Sequence, residues 1–86
     1  MKNGEPIPLR EMNLSKTCAH IKELRSQNQL SRPAVAAYLG VSESVLRNYE
    51  TGRRTPSIET FRRLCDLFHL NTIDEIIVWE EQRYGT

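Results

Sequence analysis

Four side chains of the kinds that pair with nucleic-acid bases fall within six residues: Glu43, Ser44, Arg47 and Asn48. On a helix advancing about 100° per residue they share one arc, while Val45, Leu46 and Tyr49 share the opposite arc. The apolar arc would dock such a helix on a core, and the polar arc would then face outward. Arginine and asparagine pair bidentately with guanine and adenine edges in the major groove. Glutamate accepts from the cytosine amino group, and serine pairs with several bases. A groove about 12 Å wide admits one α-helix. A polar face on a surface helix is more often simply solvated, so the flanking residues have to decide.

Other reactive combinations lead nowhere. Cys18, His20, Cys65 and His69 are spaced C-x-H and C-x-x-x-H. Common zinc modules do not use those spacings. Both cysteines also lie on apolar stripes, where a thiol behaves as a small hydrophobe. A Cys/His nucleophile pair would need an oxyanion motif and a pocket. An 86-residue chain with one small core offers neither, so no enzyme, metal or other cofactor is expected.

Five helical patterns would position these residues. The first runs from about Lys16 to Asn28, with Ser15 as a candidate N-cap and a stripe of Leu14, Cys18, Ile21 and Leu24. Arg25 falls inside that stripe, and a charge on a core face needs a partner. Ser31 caps a second helix, Arg32 to Leu39, with Pro33 tolerated in its first turn. Gly40 ends it, and Ser42 caps a third helix, Glu43 to Glu50. Two short helices joined by a three-residue turn that begins with glycine form a helix-turn-helix pattern.

After Thr51 and Gly52 comes a basic loop, Arg53 to Pro56. Ser57 then caps a fourth helix, Ile58 to Phe68, with a stripe of Ile58, Phe61, Leu64, Cys65 and Phe68. Thr72 and Glu75 make a capping box that predicts a fifth helix, Ile73 to Arg83, with Ile73, Ile76 and Ile77 inward. Val78 and Trp79 widen its apolar arc, which suggests dimerisation or a protein partner held by residues 73–84. Pro6 and Pro8 forbid a regular helix at the start, so residues 1–13 read as a flexible, extended arm and residues 14–84 as the folded domain.

The stretch Ile21 to Leu70 resembles the Cro/repressor-type, or XRE-like, helix-turn-helix DNA-binding family. The residues that fit are Ile21, Leu24, Arg25, Leu30, Ser31, Ala36, Gly40, Val41, Ser42, Glu50, Gly52 and Pro56. The joint spacing of A-x-x-x-G-V-S with E-x-G-x-x-x-P is the specific part. The resemblance implies an all-α, five-helix, lambda-repressor-like domain that regulates transcription, as a repressor, by binding double-stranded DNA. It also implies that Arg25 pairs with Glu50, which supplies the partner that the helical wheel demands. Glu43, Ser44, Arg47 and Asn48 take the positions of base readers. Arg32, Ser42, Arg53, Arg54 and Thr55 take those of phosphate contacts, which set register without reading sequence. A homodimer on a pseudo-palindromic operator follows, with half-sites about 34–36 Å apart. A protein-interaction module, such as an antitoxin or adaptor, is the alternative.

Two departures stand out. Arg32 replaces the family's usual glutamine, and Arg47 replaces a small polar residue. Glu43 is awkward beside phosphates and has to read a cytosine or point away.

The formal net charge is only +1. By segment it is +2 over residues 1–30, +3 over residues 31–63 and −4 over residues 64–86. The chain is therefore polarised, with the helix-turn-helix in its basic part. No apolar run reaches the roughly 18–20 residues of a membrane span. The first 15 residues lack a signal-peptide core, so the cytoplasm is the expected compartment.

Overall fold

A computed structural model describes residues 8–83. A strand β1 (Pro8–Met12) leads into helices α1 (Leu14–Gln27), α2 (Arg32–Leu39), α3 (Glu43–Thr51) and α4 (Ile58–Leu67). A 3-10 turn (Ile73–Glu75) and a second strand β2 (Trp79–Arg83) follow. The helices enclose one core built on Ile21, Val35, Leu46, Phe61, Leu64 and Ile76.

Serine side chains start three of the helices. Ser31, Ser42 and Ser57 accept from the backbone N–H groups of Ala34, Val45 and Thr60. Each satisfies one donor that a helix start leaves without an intrahelical partner. Helix α1 is capped by Asn13, whose Oδ1 accepts from the Lys16 N–H, and not by Ser15. The helix consequently begins at Leu14, two residues before the expected Lys16.

Three helices end in the same way. Gln29, Gly40 and His69 take left-handed backbone angles, with φ of 57°, 71° and 58°. The next residue then returns its N–H to a carbonyl of the last turn: Leu30 to Arg25, Val41 to Ala36 and Leu70 to Cys65. This is the Schellman arrangement, which places an apolar residue just after the helix against the core. Leu30, Val41 and Leu70 all pack there. Only Gly40 announced its stop in the sequence, because Gln29 and His69 carry a Cβ that this conformation disfavours.

The expected fifth helix is not present. Glu75 Oε2 accepts from the N–H groups of Asn71 and Thr72, so the capping box forms, but it starts only one 3-10 turn. Ile76 and Ile77 continue it as a turn and a bend, and from Val78 the chain is extended. The Val78 N–H donates to the buried Thr17 Oγ1 at 2.9 Å, and the Val78 carbonyl accepts from the Asn13 N–H at 2.8 Å. From Trp79 onward β2 pairs antiparallel with β1, in the register Met12↔Trp79, Glu11↔Glu80, Arg10↔Glu81. Val78 and Trp79 are β-branched and aromatic and suit this conformation. The five-helix, all-α reading is therefore corrected to four α-helices, a 3-10 turn and a two-stranded antiparallel ribbon. Residues 8–12, read as part of an arm, form one strand of that ribbon. Residues 1–7 of the arm, and position 84 of the 73–84 segment, lie outside the described residues.

Ile58 also departs from its expected place in the core and is 65% exposed. It stands at the first position of α4, where the stripe has not yet turned inward. Trp79 is half-exposed, with Arg10 stacked 5.0 Å from its ring centre and its Nε1 donating to Asp74.

Candidate nucleic-acid interface

Helix α3 is held between α1 and α2 by Leu46 and Tyr49, both buried. That docking leaves Glu43, Ser44 and Arg47 exposed and Asn48 half-buried on the outer arc. Ser42 is exposed as well, while its hydroxyl caps the helix. The partition between arcs matches the helical wheel, because a two-turn helix leaves no room for drift.

The basic loop is folded back onto the end of α3 by one atom. The Asn48 carbonyl accepts from the N–H groups of Gly52, Arg53 and Arg54. Gly52 has φ of 82°, in the left-handed region, and this turns the chain sharply. Arg53, Arg54 and Thr55 are thereby brought exposed to the C-terminal end of α3. The sequence indicated Asn48 by its side chain alone, and no residue pattern reports this backbone role. Cys18 lies under the turn, 4.0 Å from where a Cβ on Gly52 would stand. Burial pushes the Cys18 thiol up, partly opposed by a hydrogen bond with the Gly52 backbone. Burial, aided by the carboxylates of Asp66 and Glu75, also pushes Cys65 up. Raised thiols are poor nucleophiles and poor ligands at neutral pH.

Below the outer arc sits a charged cluster. Arg25 Nε donates to Glu50 Oε2 at 2.6 Å and Nη2 to Oε1 at 3.3 Å, a two-pronged pair. Arg25 Nη1 donates to the Leu30 carbonyl, which ties the loop after α1 into the same network. The Glu50 side chain is only 1% exposed. Arg32, at the first position of α2, also binds it, with Nε 3.2 Å from Oε1. Arg32 is thus drawn toward the core, and its side chain is 26% exposed.

Ion pairing sorts the remaining cations. Arg62 and Arg63 lie within 4.0 and 3.4 Å of Glu59 on α4. Among the described residues Arg47, Arg53 and Arg54 have no ion pair. The uncompensated positive charge of residues 31–63 is therefore concentrated on α3 and the loop that follows it. His20, one of the imagined metal ligands, instead donates from Nδ1 to the Ile76 carbonyl at 2.8 Å and braces the 3-10 turn.

Comparison with known proteins agrees with this geometry. A family model described as a helix-turn-helix domain matches residues 19–76. The chain belongs to the helix-turn-helix domain family. The match runs from α1 through the 3-10 turn and leaves both strands of the ribbon outside it. The chain is 38% identical over 72 residues to the HTH-type transcriptional regulator AnsR of Bacillus subtilis, covering 84% of this chain and 58% of that protein. It is 36% identical over 70 residues to the ImmF control region 10 kDa protein of Bacillus phage phi105, covering 77% and 78%. Among solved structures, the restriction-modification controller protein C.AhdI from Aeromonas hydrophila superposes with a TM-score of 0.67 at 25% identity, covering 74% of this chain and 96% of that one. A transcriptional regulator from Listeria innocua gives 0.69 at 26% identity, covering 81% and 64%. This helix-turn-helix chain spans a little under three-fifths of the AnsR length.

Proposed function

We propose that this chain is a sequence-specific double-stranded DNA-binding regulator of transcription, acting as a repressor with α3 in the major groove. The observation that carries the reading is the outer arc of α3, continuous with the unpaired cations of the following loop. On this reading Glu43, Ser44, Arg47 and Asn48 meet base edges. Ser42, Arg53, Arg54, Thr55 and Arg32 meet phosphates. The chain binds a pseudo-palindromic operator as a homodimer in the cytoplasm, with no catalytic step and no cofactor. Its relatives support this as named regulators and controllers.

Selection from random duplexes with the full chain tests the reading. An enriched motif with two-fold symmetry is the expected result. No enriched motif together with no dependence of affinity on salt would sink it. Asn48→Ala should relax the preference at one base position by about 1–3 kcal/mol, and an unchanged motif would displace the reading face. Arg53→Ala should weaken all sequences alike and flatten the salt slope by about one.

A protein-interaction role for residues 73–84 is the second reading. The half-exposed Met12 and Trp79 of the ribbon favour it. An intact salt slope with no sequence preference would speak against it less than failure of all DNA binding would speak for it.

A further inference from the structure

Two arginines share Glu50, and they use it differently. Arg25 commits three of its donor nitrogens, Nε and Nη2 to the carboxylate and Nη1 to the Leu30 carbonyl. Its side chain is 12% exposed. Arg32 commits only Nε, and its side chain is 26% exposed. Among the described residues its two terminal amino groups, with four N–H donors, meet no acceptor. The cluster also carries a surplus charge, since two guanidiniums face one carboxylate. Arg25 fills both prongs of the carboxylate, so the surplus unit belongs to Arg32. A guanidinium held by Nε cannot swing freely, and its terminal amino groups are set in a fixed plane.

We infer that Glu50 is a positioning residue, holding Arg32 by Nε so that its terminal amino groups clamp one phosphate of the DNA backbone. Arg25 is then the structural member of the cluster and Arg32 the member that meets the ligand. The inference rests on the DNA-binding reading above. It also accounts for arginine at this position: lysine or glutamine has no Nε to give to the carboxylate while leaving a fork for a phosphate.

The test measures affinity of the full chain for its selected duplex and for an unrelated duplex between 50 and 200 mM salt, with thermal unfolding alongside. Arg32→Ala should lower the salt slope by about 0.9 on both duplexes. The loss of affinity across that salt range then shrinks by roughly 3.5-fold. Glu50→Gln separates positioning from charge. Removing a negative charge would tighten DNA binding if only net charge mattered. Positioning predicts the opposite, a loss of roughly tenfold. That loss should vanish when Arg32→Ala is already present, because Glu50 then has nothing left to aim.

If Glu50→Gln fails to fold, Arg32→Lys takes its place. Lysine keeps the charge and the salt slope, but it should lose affinity because it has no fork to be held. An unchanged slope in Arg32→Ala overturns the inference, as does tighter binding by Glu50→Gln or full affinity in Arg32→Lys. Wild-type chain that shows no salt-dependent binding at all would instead overturn the DNA-binding reading itself.

Discussion

The helical body and the β-ribbon obey different rules. In the body, most boundaries are set by a residue standing at the boundary. Ser31, Ser42 and Ser57 start helices, and Gly40 and Gly52 take the left-handed turns that end them. In the ribbon no residue marks where a strand begins. Pro8–Met12 becomes a strand only because Trp79–Arg83 arrives beside it. The clamps that hold the two regions differ in the same way. Glu50 is a buried carboxylate neutralised by neighbouring helices. Glu80 is a half-exposed carboxylate that ties the ribbon to the start of α1, accepting from Asn13 Nδ2 and Lys16 Nζ across 67 and 64 residues of chain. Local chemistry suffices to build the body, and the ribbon depends on partners distant in sequence.

The largest expected effect comes from breaking the buried clamp. Glu50→Ala leaves two arginines without their carboxylate and should cost about 3–5 kcal/mol, read from thermal or denaturant unfolding. A loss below about 1 kcal/mol would mean that the cluster relaxes into water and that the body is not held as described. Next is the hinge between the regions. Thr17→Val keeps the shape of a fully buried side chain but removes the acceptor of the Val78 N–H. It should cost about 1–3 kcal/mol. Amide exchange should quicken across residues 78–83 first and leave α3 protected. Uniform quickening would show that body and ribbon unfold as one unit.

Gly40→Ala probes a purely local signal. A Cβ there meets nothing within 4 Å, so only the left-handed backbone, φ 71°, resists it. The expected cost is about 1–2 kcal/mol with the ribbon unaffected. The smallest effect is the pH dependence of the ribbon. Hydrogen bonds from Asn13 and Lys16, with the Lys16 charge, hold the Glu80 carboxyl below its ordinary 4.5. A carboxylate depressed on folding adds stability that is full above its unfolded pKa and is lost as pH falls through the folded one. Ribbon protection should therefore be flat above about pH 4.5 and decline below it. Glu80→Gln should remove that decline, and a decline that persists would assign it to another carboxylate.

Legibility in the sequence followed the same division. Helices α2, α3 and α4 were readable to within a residue or so, because capping and periodicity are properties of neighbouring residues. The outer arc of α3 was readable for the same reason. Arg25 demanded a partner on its helical wheel, and the family resemblance named Glu50. What stayed hidden was the second arginine. Arg32 read as a surface cation at a helix start, and nothing in its neighbours indicates a carboxylate 18 positions away. The stops at Gln29 and His69 were hidden too, since neither is the glycine that the conformation favours. Residues 73–83 were misread because a capping box followed by an apolar arc satisfies the helix pattern. The hydroxyl of Thr17 and the strand that compete with that helix lie more than 50 residues upstream.

By itself the sequence determined the helix-turn-helix, its turn, its docked and outward faces and its family. Each is dictated by side chains within a turn or two of one another. Tertiary structure alone decided that the chain after Ile77 is extended and paired with residues 8–12. It alone decided that Glu50 serves two arginines. These outcomes depend on which donors and acceptors meet once the core has closed, and burial makes each of those meetings obligatory.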